Sequence, residues 1–294
     1  MSNPAFTRSP YFNGKQTTVA PNNSYGQTGQ YGQYDQYGQY GQYGQTNAYG
    51  AQAPQLNAMY AAPSASPVQT GRMTYDDVLI KSVGMLAVLL VSAVVGWLFT
   101  PAFPHLCWVG MITGFVLCLV NSFKREPSPV LITLYAAAEG LFLGGLSMLF
   151  EAIWPGIIIQ AVLATFAVFG ITLALFASGK VRASGRAARI VLVALLAYLV
   201  YALVNFFMVL AGATHSMFGL DTDIEVFGVP LGLILGPIVI LLGAYCLVLS
   251  FDFIKRGVEG GIPARYAWQA AFGLLVDLVF LYFHILRVLA ILRN

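Results

Sequence analysis

From Thr74 onward the apolar residues of this chain come in long unbroken blocks rather than in alternation. The blocks fall at 80–100, 105–123, 129–150, 155–177, 189–211, 228–251 and 265–291. Each is close to the ~20 residues that an α-helix needs to cross a bilayer. Short stretches of proline, glycine and charge separate them, and most of the prolines sit at block edges, where a helix accommodates them. Pro237 lies inside the sixth block and is expected to kink it. The pattern predicts an all-α membrane protein with seven transmembrane helices.

Residues 1–73 read differently. YGQTGQYGQYDQYGQYGQYGQ (25–45) repeats Tyr, Gly and Gln, and an Ala/Pro/Ser/Gln-rich stretch follows it to Val68. So few aliphatic residues cannot offset the entropy of ordering, so this segment is expected to be a disordered tail. Spaced tyrosines in a polar tract also resemble sequences that self-associate weakly. The expected division is therefore 1–73 tail and 74–294 membrane domain.

Composition supports this reading. The chain is 58% hydrophobic and 9% charged, against about 25% charged in soluble domains. Its net charge of +3 is spread over short loops and points to no nucleic-acid partner. The three cysteines are odd in number, lie in or beside apolar blocks, and have no metal-site spacing. They read as small buried hydrophobes.

The loop charges alternate. One set of connections holds Arg72, Lys81, Lys124, Arg125, Lys180, Arg182, Arg186, Arg189, Lys255, Arg256 and Arg265. The opposite set, 101–104, 151–154 and 212–227, lacks Lys and Arg but carries Glu151, Asp221, Asp223 and Glu225. Positive charge favours the cytoplasmic side, which predicts a cytoplasmic N-terminus and an outer C-terminus. Arg287 and Arg293 fall at the outer end and are expected to snorkel to the headgroups.

Three acids fall within or at the edge of the blocks. Asp277 has apolar residues or glycine on every side, in AAFGLLVDLVFLYF (270–283). A carboxylate there costs about 2.5–3.5 kcal/mol even on the lenient insertion scale, so it marks a path, a pair or a switch. Asp252 ends the sixth block, within reach of Lys255 or Arg256 on the same helix face. Glu139 precedes Gly140 and Gly144, a spacing that permits close helix packing. It is either hydrogen-bonded between helices or part of a polar path. His284, two turns beyond Asp277, reads as a packed or interfacial histidine or as a group tuning that path. Two carboxylates brought together in a dry site cannot both ionise cheaply and titrate as a unit. They could share a proton, offer Ca²⁺ a transient oxygen site, or release a basic partner. Nothing suggests an enzyme: the chain has no GxSxG, HExxH or Walker glycine loop, and no Gly-Xaa-Gly-Asp setting for a membrane aspartyl protease.

The pattern FDF(I)…GLLVDLVFLYFHILRVL resembles the Bax-inhibitor-1-like, or transmembrane Bax inhibitor motif, family, most of all its bacterial branch. The resemblance covers about 74 to 294, is strongest over 245–292, and leaves the Tyr-Gly-Gln tail outside. It implies a fold with the last helix central among the other six. It also implies a pH-sensitive calcium leak in a bacterial cytoplasmic membrane, gated by an aspartate pair matching Asp252 and Asp277. No cofactor is implied beyond Ca²⁺ as permeant ion. The family's gate includes a basic latch, for which Arg125 or Lys124 is the nearest match. The acids stand one residue further apart than the bacterial pattern implies. Two alternatives accompany this reading: a non-transporting regulator of a membrane protease or stress-response complex, docking through the tail, and a proton-coupled cation antiporter.

Overall fold

The computed structural model describes residues 71–293, so almost all of the expected tail lies outside the described residues. Seven long helices follow one another: α1 Tyr75–Phe99, α2 His105–Phe123, α3 Pro129–Ile153, α4 Ile157–Ala177, α5 Gly185–Leu210, α6 Leu231–Glu259 and α7 Ala267–Arg293. All seven are long and apolar enough to cross a bilayer. They match the seven apolar blocks, and several run a turn or more beyond them, because capping turns are helical without being apolar. Thr74 and Asp77 form a reciprocal capping box at the start of α1 (3.1 and 3.2 Å). The Ser184 hydroxyl accepts from Ala187 N at the start of α5. Glu151 accepts from Gly156 N (2.6 Å) and Ile158 N (3.2 Å) at the start of α4.

The largest departure is α6, which continues two turns past its apolar block. Lys255 and Arg256 are therefore helical rather than part of a loop. The i,i+4 pairs Asp252–Arg256 and Lys255–Glu259 run along this polar extension. Gly261, at φ +64°, then ends it, with its N–H donating to Val258 O and Ile262 N donating to Gly257 O. The helix runs unbroken through Pro237.

The last helix is central, as expected. It contributes to two apolar cores: one with α1 and α3, around Met85, Leu89, Tyr135, Leu143 and Leu275, and one with α4 and α6, around Ile157, Leu247, Phe251 and Leu281. In backbone terms α7 packs on α1, α3, α4 and α6, while α2 is carried by α3 and α5 by α6. Glycines set the spacing around α3. An added Cβ at Gly110 of α2 would stand 2.8 Å from Phe142 N, and one at Gly144 would stand 2.6 Å from the Ala93 carbonyl carbon of α1. Backbones this close are the usual way membrane helices gain dispersion contact.

At the basic end, the segment before α1 is fastened to the α6–α7 connection. Met73 N donates to Ile262 O (2.7 Å), Ala264 N donates to Gly71 O (2.9 Å), and Met73 is fully buried. At the other end, the α5–α6 connection forms a one-turn helix, Leu220–Asp223. A two-residue hairpin follows, β1 Glu225–Val226 with β2 Val229–Pro230, turning through Phe227 and Gly228 at positive φ.

Candidate intramembrane acidic site

Asp277 stands ten residues into α7, about 15 Å along the axis at 1.5 Å per residue. The neighbouring helix α6 meets it with a hydroxyl: Ser250 Oγ donates to Asp277 Oδ2 at 2.6 Å. Gly273, one turn earlier on α7, lies on the same face, where an added Cβ would stand 3.7 Å from Ser250 Oγ, an ordinary contact. Antiparallel packing thus sets Ser250 of α6 against the Gly273/Asp277 face of α7.

This register bears on the expected aspartate pair. Asp252 lies two residues beyond Ser250, and at about 100° per residue it leaves α6 some 200° around the helix. Its carboxylate pairs with Arg256, one turn on. In this conformation the two acids have separate partners and share no hydrogen bond. Lys124 and Arg125 are exposed beyond the end of α2, and neither forms an ion pair with Asp252 or Asp277. The ion pair made by this connection has the reverse polarity: Glu126 meets Arg265 of the α6–α7 connection at 3.4 Å.

Glu139 lies on α3 with its carboxylate folded over Gly114 of α2, where an added Cβ would stand 2.5 Å from Oε2. Tyr135, one turn before it, rests edge-on against Phe272 of α7 (5.1 Å between centroids). The bundle therefore holds two acids on different helices, Glu139 against Gly114 of α2 and Asp277 with Ser250 of α6 on it. Among the described residues, no group of three or more His, Cys, Asp or Glu could hold a metal ion.

The family model described as Bax inhibitor 1 like matches residues 3–294. The chain belongs to the Bax inhibitor 1 like family. The match reaches into the Tyr-Gly-Gln tail, which the resemblance had left outside. A shift in composition marks where the apolar blocks begin, and it does not mark where a family's common sequence ends. A search of curated proteins finds no match. The family and the seven helices make this a multi-pass membrane protein.

A second polar cluster lies at the opposite end of the bundle, and here one expectation is overturned. Arg287 does not snorkel: its side chain is 15% exposed and pairs with Asp221, itself 6% exposed, which the α5–α6 connection carries inward. Tyr201 donates to Asp221 Oδ1 (2.5 Å), and Arg287 lies within 3.4 Å of Tyr198 Oη and 3.5 Å of Phe218 O. A buried acid on the connection gives Arg287 a closer partner than the headgroups. His284 is buried beside Tyr198, with Phe280 tilted against it and Phe283 edge-on. Tyr198, Tyr201 and Asn205 recur at i, i+3 and i+7 on α5, a one-face spacing that was visible in the sequence and went unread.

Proposed function

We propose that this Bax inhibitor 1 like protein is a passive, calcium-permeable leak channel of the cytoplasmic membrane, and not an enzyme. Asp277 is its proton-sensing group. Asp252 acts from the cytoplasmic end of the same helix pair, and Glu139, on α3, lines the path. One observation carries the reading: Asp277 sits near the middle of the central helix and its hydrogen-bond donor is a neutral hydroxyl, Ser250. Among the described residues no base forms an ion pair with it, so the compensating charge is a mobile one, a proton or a cation. Protonation and cation occupancy then compete at one carboxylate, and the proton state shifts a closed–open equilibrium. The basic loops support a cytoplasmic N-terminal end of α1.

Calcium entry into proteoliposomes, with and without an imposed proton gradient, tests this reading. A leak carries calcium down its own gradient in either case. Entry that requires the proton gradient and dissipates it would identify an antiporter, and entry no faster than in empty vesicles would leave a non-transporting regulator.

A further inference from the structure

The Asp221–Arg287 cluster has no part in the site just described, and its construction calls for an explanation. Burying two charges costs several kcal/mol per ion, and such pairs are often no more stable than an apolar replacement. This pair is nevertheless closely supported. Asn205 on α5 donates from Nδ2 to Phe218 O (3.0 Å) and accepts from Leu220 N at Oδ1 (2.7 Å), fixing the connection that carries Asp221. Gly219, at φ +63°, allows the chain to turn against Asn205, and Gly232 of α6 leaves room for Asp221, whose Cβ would lie 2.9 Å from a methyl there.

The cluster occupies a defined place on the central helix. His284 and Arg287 follow Asp277 by seven and ten residues, which puts all three within about 80° of one face, with Arg287 about 15 Å further along. Beside this face, α3, α5 and α7 enclose a groove of about 790 Å³ whose walls are largely Leu and Phe and whose polar end is His284, Tyr198 and Arg287. Helix α5 forms one wall while burying only Val191 and Asn205. It is held at this end mainly by its polar stripe, with few apolar contacts to oppose its movement.

We propose that the Asp221–Arg287 pair, held by Tyr198 and Tyr201, is a removable seal over the polar face of α7 at the end away from the basic loops. While the pair is closed, Arg287 and the aromatic ring stack around His284 separate Asp277 from that surface. When it opens, α5 and the α5–α6 connection move together, because Tyr201 and Asn205 tie them to each other, while the contacts of Tyr198 and Phe218 with His284 and Arg287 of α7 break. The inference rests on the channel reading for its purpose but not for its test.

The test is the rate at which a membrane-impermeant, positively charged thiol reagent modifies a single cysteine introduced by His284→Cys, with Cys107, Cys118 and Cys246 changed to Ala, in reconstituted vesicles. Asp221→Asn and Arg287→Gln are each expected to raise that rate at least about tenfold, Tyr201→Phe to raise it less, and Glu126→Gln, which removes an exposed ion pair elsewhere, to leave it unchanged. If either single variant folds poorly, the combined Asp221→Asn/Arg287→Gln variant, which leaves no unpaired charge, gives the same reading. Unchanged labelling in the folded seal variants would overturn the proposal. Calcium entry measured on the same vesicles separates the two ideas: faster labelling with no calcium entry in any variant keeps the seal and removes the channel.

Discussion

Replacing Gly144 with alanine puts a methyl group where α1 already stands. The added carbon would lie 2.6 Å from the Ala93 carbonyl carbon and 2.7 Å from its Cα, whereas carbon atoms rest at about 3.5–4.0 Å. The Ala93 carbonyl oxygen stands closer still, so the two helices would have to separate by roughly 1 Å or more, and backbone cannot rotate away as a side-chain tip can. Gly170 on α4 is the matched control, since nothing lies within 4 Å of a Cβ added there. Both substitutions gain the same helix propensity, up to about 1 kcal/mol. Their difference therefore isolates the overpacking, about 1–3 kcal/mol. Equilibrium unfolding in mixed micelles, followed by circular dichroism, measures it. Gly144→Ala is expected to be less stable than Gly170→Ala by that amount. Agreement within about 0.5 kcal/mol would refute the claim that α1 and α3 are in backbone contact. Calcium entry should fall in parallel, because α3 carries Glu139 and sets Tyr135 against Phe272 of α7.

Three further outcomes follow from named contacts. Ser147 and Tyr282 share a hydrogen bond of 2.7 Å between α3 and α7, so a double-mutant cycle with Ser147→Ala and Tyr282→Phe should show a coupling of about 0.5–1.5 kcal/mol in unfolding free energy. Ser250→Ala removes the hydroxyl on Asp277 and should move the pH midpoint of calcium flux, while Ser147→Ala should leave that midpoint in place. Neutralising Lys124 and Arg125 together should leave flux unaltered, whereas Arg256→Gln, which frees Asp252, should change it; the reverse result would restore the basic latch expected from the α2–α3 connection.

Much of the fold was legible in the chain, because an apolar block of membrane length has few alternatives to a spanning helix. The ends were not, since the turns capped by Thr74 and Ser184 and the charged extension of α6 through Lys255 to Glu259 are held by local hydrogen bonds and i,i+4 pairs that apolarity does not report. Asp277 stood out by its cost in an apolar run, and the structure keeps it at the centre. Its hydrogen-bond partner did not stand out. Ser250 is an ordinary residue until the register of α6 against α7 puts it opposite Asp277, while Asp252, two residues on, pairs with Arg256 of its own helix. The Asp221–Arg287 pair was hidden for a related reason: its members lie 66 positions apart, one in a polar connection and one near a helix end, and each had a plausible solvated place of its own.

The central claim is that the proton state of Asp277 controls a calcium path. Calcium flux into proteoliposomes across a pH series, for wild type, Asp277→Asn and empty vesicles, tests it most directly. The account predicts wild-type flux that changes with pH and an Asp277→Asn flux that does not, both distinct from empty vesicles at some pH. Equal flux in all three, or an unaltered pH dependence in Asp277→Asn, would contradict it.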